Sequence, residues 1–589
     1  MLEDHETLPL RVSSITLVIT FTNGPARSQL VESTANVPKS GTLSGRVVNE
    51  SGQPMANASV VVRGYSGGQP RTTTSDSEGS FQLSGLDPVA YLVSAYFTTY
   101  VSAPRDPDLN PIGYYLIGDT VRLELIKGGV ITGTVTRPAG EPVVAVLVRA
   151  YMVRDGKGQP PRYGAPFREQ TTDDRGVYRI YGLPPGTYLV SAGGGSSPRG
   201  YTVDAYDTDA PTYAPSSTRD AAMEVSVRSG EESTNVDIRY RREAGHAVSG
   251  VASSAVALNQ TPGFSIILSS IFNGASQASY SSYQSPGARG FSFNGVADGD
   301  YDVTAQMFVP GGEWTISEPR RIKVRGSDVT GIELITKPLG SITGHMVLEE
   351  SKAPECKDKR RPVFGETLVT PWHNEKIAAR DQPQFLWSLG GPTFPDQHGD
   401  LAIRNLAPGQ YRFNARPMAK YWYLKSITWP ASVIPTAKVT LPNRLVDAAR
   451  NWTTLKSGER LAGLTVTIAA GAASMHGQID LAEGQKLPPR LFVYLVPAER
   501  EQADDVLRYF AAVALADGTF AQNNLSPGRY WVLAQPVSES DSNILSKLRL
   551  PDEAEARAKL RHDAEAAKTE IELRPCQNIA DYQLGLRLK

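Results

Sequence analysis

Along most of this chain apolar side chains fall at every second position in short runs, the period of strands that lay one face on a core. One phrase of that pattern recurs five times. It consists of a glycine, alternating apolar residues, a Leu or Val, a turn that is often Pro-Gly, and then a strand carrying a tyrosine and ending in alanine. The copies run Gly79 to Leu86 with Tyr91 and Ala95, and Gly176 to Leu183 with Tyr188 and Ala192. They continue with Phe291 to Val296 with Tyr301 and Ala305, Gly399 to Leu406 with Tyr411 and Ala415, and Gly518 to Leu525 with Tyr530 and Ala534. Proline presets φ for a turn and glycine supplies a positive φ, so the phrase predicts a β-hairpin. An opening strand with an internal glycine precedes each hairpin: Leu43 to Val47 around Gly45, Ile131 to Val135 around Gly133, Val248 to Val251 around Gly250, Ile342 to Met346 around Gly344, and Met475 to Ile479 around Gly477. Most copies close on a further alternating strand, as at Val121 to Leu125, Val236 to Ile238, Ile332 to Leu334 and Leu464 to Ile468.

A unit of about seven short strands in roughly 90 to 130 residues is a two-sheet sandwich by length and pattern. The predicted fold class is all-β: a tandem array of about five immunoglobulin-like or transthyretin-like β-sandwiches, with short helical insertions in the last domain. The boundaries read 1–38 for an N-terminal leader or degraded signal segment, then sandwiches at 39–127, 128–242, 243–338, 339–470 (diverged) and 471–589. Glu501 to Leu515 and Asp552 to Ile571 read as helices; the second is rich in Ala and charge, with only a narrow stripe at Leu560, Ala564 and Ala567. The linkers are short, which predicts an elongated or gently curved rod.

The stretch from Ser44 to Val48 through Gly52 to Pro54 and Ala58 to the Gly79 hairpin resembles the carboxypeptidase regulatory-like domain, a transthyretin-like sandwich related to the B-type repeats of bacterial collagen adhesins. The second copy, at 128–242, resembles it nearly as well; copies three to five keep the opening and the hairpin and drift between them. The resemblance implies an accessory module of exported bacterial proteins, serving stability, attachment or carbohydrate contact more than chemistry. Adhesin repeats of this kind carry a Lys to Asn crosslink in some members; Arg46 and Thr134 stand where the lysine would be needed, so none is expected here.

Composition narrows the partners. The chain has 589 residues, too many for one core, and is rich in Gly (53), Pro (42) and Tyr (25), as many tight turns require. Its 60 basic and 61 acidic residues give a formal charge of -1, which leaves no field to draw nucleic acid or an anionic membrane. No apolar run approaches the ~18 residues of a membrane span. Near the N-terminus Arg11 precedes an apolar run from Ile15 to Phe21, and Pro25 to Ser28 follow; Glu3, Asp4 and Glu6 make its start acidic. That segment reads as a degraded leader, or otherwise as a tail or an added edge strand. Secretion, or a periplasmic or cell-surface location, is expected. The two cysteines, Cys356 and Cys576, are candidates for one disulfide between the last two domains.

The motifs of catalytic chemistry are missing from the sequence. Seven histidines are scattered, with no His-x-x-Glu or His-Glu-x-x-His to hold a metal. The Gly-x-Ser-x-Gly pattern at Gly41 to Gly45 falls on an opening strand rather than on a strand-to-helix turn. No metal, cofactor or enzymatic activity is expected, and an unrecognised hydrolase would have to be built in the fourth domain around His373, Glu375 and His398. Acidic turns at Asp76 to Gly79, Asp173 to Gly176 and Asp517 to Gly518 offer two or three carboxylates each, fewer than Ca²⁺ wants, and suit the turns for backbone reasons. The best candidates for a carbohydrate site are Tyr201, Tyr206 and Tyr213 interleaved with Asp204 and Asp207, since rings beside carboxylates can stack on and hydrogen-bond to sugars. Trp372, Trp387, Tyr421, Trp422, Tyr423 and Trp429 form a second aromatic cluster, most of it expected in the core or between domains. The leading expectation is a non-catalytic surface-interaction or spacer scaffold that meets a cell-surface glycan or protein; the alternative is a carbohydrate-binding protein.

Overall fold

The computed structural model describes residues 40–65, 68–103, 113–156, 158, 167–194, 205–256, 262–272, 275–309, 313–374, 390–431, 445–481, 487–488, 491–515, 517–536 and 554–586. They form tandem β-sandwiches built on one plan. In each, the opening strand lies between the first hairpin strand, antiparallel to it, and the closing strand, parallel to it. In the first sandwich Gly41–Asn49 pairs with Ser80–Leu86 and with Thr120–Lys127. In the fourth, Gly340–Glu349 pairs with Asp400–Leu406 and Arg460–Ala470. In the last, Ala473–Leu481 pairs with Thr519–Leu525 and Asn578–Leu586. The opposite layer holds the second hairpin strand, as in Arg71–Thr74, Ser59–Gly64 and Tyr91–Tyr96. In the third sandwich Glu313–Ser317 bridges Gly299–Val309 to Val329–Pro338, so the two layers run into one eight-stranded sheet.

The internal glycines are explained by the parallel partner. A Cβ on Gly133 would lie 2.0 Å from the Val236 carbonyl oxygen, and one on Gly250 2.0 Å from that of Ile332. Corresponding approaches at Gly45, Gly344 and Gly477 are 2.1, 2.1 and 2.4 Å. Only a residue without a side chain lets the closing strand come this near. The repeated tyrosine also has a structural task. In every sandwich its hydroxyl donates to the carbonyl four residues before it: Tyr91 to Asp87 (3.0 Å), Tyr188 to Pro184 (2.7 Å), Tyr301 to Ala297 (2.9 Å), Tyr411 to Ala407 (2.6 Å) and Tyr530 to Ser526 (2.9 Å). The ring fills the core while its one polar atom is satisfied, which phenylalanine could not do for the turn.

Consecutive sandwiches are joined by one repeated device. The first linker residues donate N–H groups back to an overhanging segment of the sandwich just left, a turn or, at Trp314, a strand: Gly128 to Thr99 (2.8 Å), Gly245 to Thr208 (2.9 Å), Leu339 to Trp314 (3.2 Å), and Gly471 to Tyr421 (2.8 Å). Onto this junction sits a bulge of the next hairpin, where the register slips past a residue with positive φ: Gly182 (69°), Gly295 (67°), Asn405 (62°) and Asn524 (59°). At the first two junctions the bulge glycine lies against a linker glycine, Gly128 or Gly245. At the last two, asparagine tolerates the same φ and uses its side chain. Asn405 Oδ1 accepts from Trp314 N–H (2.8 Å), and Asn524 Nδ2 donates to the carbonyls of Ala419 and Trp422 (2.8 Å each). The fourth junction is also covalent: Cys356 and Cys576 form a disulfide with Cα atoms 5.4 Å apart, beside a Cys576 N–H bond to Gly471 (3.0 Å).

Three expectations are corrected. Glu501 to Leu515 is not a helix: two short 3₁₀ turns, Arg500–Gln502 and Val506–Arg508, lead into strand Phe510–Val513, which pairs with Leu491–Pro497. An open sheet edge satisfies that backbone, and tertiary pairing overrides local preference. The helix of the second segment is shorter, Ala554–Ala567, and strand Glu570–Leu573 follows it. Its buried Ala564 packs with Val496 and Tyr509 on the outer face of the last sandwich. That is why Leu491–Pro497 is apolar on both faces. The extended-rod expectation also fails, because the first sandwich contacts the fourth.

Candidate interaction sites

The contact between the first and fourth sandwiches is made by three rings that sequence reasoning missed. Tyr65 ends a strand of the first sandwich, Tyr114 lies in a loop of the same unit, and Phe394 in a loop of the fourth. They meet edge to face: Tyr65–Phe394 at 4.5 Å, Tyr114–Phe394 at 5.4 Å and Tyr65–Tyr114 at 5.6 Å between centroids. The Tyr65 hydroxyl donates to the Pro392 carbonyl, and burial pushes its pKa above that of an ordinary phenol. Beside the clasp is a cleft of about 760 Å³, with Tyr65, Val89 and Ala90 on one side and His345, Phe394 and Asp396 on the other. The only hint in the sequence was aromatic residues beside the glycines and prolines of turns.

Among the described residues the cleft brings no reactive constellation together. His345 Nδ1 lies 3.1 Å from Asp400 Oδ1, but both side chains are more than half exposed, so the pair is screened by water. Asp396 accepts N–H groups from His398 and Asp400, which hold its carboxyl below the usual range. Asp76, Asp173 and Asp517 also spend carboxylate oxygen on backbone N–H groups at their own turns. These acidic turns are therefore backbone caps. Among the described residues no three His, Cys, Asp or Glu side chains are grouped as a metal would require.

Of the Tyr and Asp cluster of the second sandwich, the two described rings, Tyr206 and Tyr213, do not form a stacked surface. Tyr201 and Asp204 lie outside the described residues. Tyr213 is 7 % exposed, in strand Thr212–Tyr213 paired with Ser191 and Ala192, so it cannot stack on a sugar. Tyr206 is half-buried against the core, 5.7 Å and edge-on to Tyr240, and its hydroxyl donates to the Val144 carbonyl (3.0 Å). The neighbouring Asp209 accepts from Tyr240 (2.9 Å), which ties the loop down, while Asp207 is half-buried beside it.

In the fourth sandwich the structure separates the two histidines a hydrolase would need. His373 ends strand Thr367–His373 in one layer, and His398 is exposed on the turn that leads into Asp400–Leu406 in the other; Glu375 lies outside the described residues. The His373 ring packs edge-on against Tyr411 at 4.9 Å, and burial lowers its pKa to about 4. Such a histidine is neutral and half-buried at the edge of the core. Its unfolded pKa is near 6.5, so stability is complete above that value and falls as the pH drops from 6.5 toward 4, where only the unfolded chain takes the proton. A His373→Phe variant should therefore lose less stability over that window than the parent in urea titrations. Parallel curves would show that the imidazole does not titrate differently on folding. Of the aromatic cluster, Trp422 and Trp429 are fully buried, Trp372, Tyr421 and Tyr423 half-buried, and Trp387 lies outside the described residues.

With the repeat and its junctions established, the comparisons with known proteins place the first unit. Residues 42–111 match the family model of the carboxypeptidase regulatory-like domain. The plan of this first unit, with a central glycine and the parallel closing strand Thr120–Lys127 that lies beyond the matched residues, is what the later sandwiches repeat. No curated protein sequence matches the chain. Among solved structures it is similar to the Bacillus anthracis TIE protein (15 % identity, 51 % of each chain, TM-score 0.13). It is also similar to a streptococcal ancillary pilin (14 % identity, 51 % of this chain and 99 % of that one, TM-score 0.16) and to the shaft pilin SpaA from Lactobacillus rhamnosus GG (11 % identity, 34 % and 98 %, TM-score 0.16). The chain spans about half the length of the first of these. At such scores the likeness carries neither domain arrangement nor function. Among the described residues no helix is long and apolar enough to cross a membrane.

Proposed function

We propose that the chain is a non-catalytic, exported scaffold whose regulatory-like sandwiches are held in one fixed arrangement and present their outer faces to a protein partner. The observation that carries this reading is the fourfold junction, in which a linker N–H returns to the preceding sandwich and a bulge seats on it. Independent beads on a string need no such device. The clasp of Tyr65, Tyr114 and Phe394 adds a contact between units distant in sequence, and a disulfide suits an oxidising compartment. The carbohydrate reading draws no support from where Tyr206 and Tyr213 lie.

Small-angle scattering tests the arrangement. A single compact body of this length would have a radius of gyration near ~25 Å. The parent should give a value above that, a curve fitted by one rigid conformation, and a maximum dimension well short of five sandwiches end to end. A Tyr65→Ala, Phe394→Ala variant should keep its secondary structure and lengthen. A parent curve that demands an ensemble of bent and straight forms would refute a fixed scaffold.

A further inference from the structure

The second strand of each hairpin has an outer edge, and in four sandwiches that edge is covered at the same position, two residues after the tyrosine. Val190 accepts from the Ala214 N–H, Val303 pairs with Arg320, Phe413 donates to the Ala448 carbonyl, and Val532 donates to the Thr569 carbonyl. In the first sandwich the equivalent strand, Tyr91–Tyr96, is bridged only at its start, by Tyr91 with Tyr115. Strand alternation then turns the N–H and C=O groups of Val93 and Ala95 outward, away from Ser59–Gly64, and among the described residues nothing pairs with them. Large apolar side chains are exposed along the same strand and just beyond it: Leu92 at 41 %, Tyr96 at 61 % and Phe97 at 37 %. An unpaired, apolar strand edge is a template for one more strand, and native proteins usually cover it.

We infer that residues Ile15 to Phe21 of this chain add to that edge as an extra strand of the first sandwich. The segment has the pattern the place requires: Ile15, Leu17, Ile19 and Phe21 alternate with Thr16, Val18 and Thr20, all but Leu17 β-branched or aromatic, without Pro or Gly. Its seven residues match the six of Tyr91–Tyr96. Eighteen residues separate Phe21 from Ser40, enough to span about 60 Å when extended, several times the ~10 Å between sandwich layers. The added strand would make the first sandwich's edge as complete as those of its neighbours.

Amide hydrogen exchange reads this directly. In the full chain, Val93 and Ala95 should exchange at least about tenfold more slowly than in a chain beginning at Ser40, the weight of one net hydrogen bond. The difference should not depend on protein concentration. A full-length Ile19→Pro variant, which keeps the segment but breaks its ladder, should match the truncated chain, and adding a peptide of residues 14–22 to the latter should restore protection. Equal protection in both chains would mean that another segment covers the edge, and absence of protection in both that it is open; either result overturns the inference. So does protection that rises with concentration, which would mean that a second copy supplies the strand.

Discussion

Replacing Gly133 by alanine is expected to unfold the second sandwich well before the rest of the molecule, although the same change in an ordinary strand would stabilise it by about 0.5–1 kcal/mol through lost backbone entropy. The added Cβ would sit 2.0 Å from the Val236 oxygen and 2.5 Å from its carbon, backbone atoms that no rotamer change can move. The closing strand must shift by more than an ångström, and its hydrogen bonds to Gly129–Thr136 shift with it. Overpacking of this kind costs about 3 kcal/mol or more. In a unit of this size that is roughly 12 °C or more on its transition. Gly290→Ala is the internal control: it lies at an exposed strand start without positive φ, with nothing within 4 Å of its Cβ, and should be neutral or slightly stabilising. Scanning calorimetry of both variants decides the matter. A Gly133→Ala chain as stable as the parent would mean that the parallel strands do not approach as described.

Reducing the disulfide should release the last sandwich. Cys356 and Cys576 are 220 residues apart, and in the chain-entropy view a loop of that length contributes up to about 5 kcal/mol, with about 2–4 typical of measured cases. Here the bond acts beside the Cys576 to Gly471 hydrogen bond and the Asn524 contacts, so the junction and the last core should share the loss. A Cys356→Ser, Cys576→Ser variant is expected to lose about 3 kcal/mol in the urea transition of its C-terminal unit. It should also be cleaved by protease near Ala472 while the other sandwiches persist. An unchanged transition would show that the noncovalent contacts hold the junction without help.

The hairpins, opening strands and aromatic core positions were legible because a strand with one buried face writes its period into the sequence, and five repetitions raise that signal above accident. The helix expected at Glu501 to Leu515 failed because a waiting strand edge, Leu491–Pro497, outcompeted local propensity at Phe510–Val513. The Tyr and Asp loop looked like a binding surface because composition does not report which way a ring points; Tyr213 turned inward and Tyr206 lay on the core.

Sequence alone determined the all-β class, the repeated unit and the presence of a glycine at the centre of every opening strand, since each is read from periodicity and repetition within a few neighbouring residues. Only the tertiary structure decided why that glycine is needed, that Asn405 and Asn524 do at their junctions what Gly182 and Gly295 do at theirs, and that the first sandwich meets the fourth through Tyr65 and Phe394. Those outcomes depend on which backbones and rings come together from distant parts of the chain, and such encounters leave no period to read.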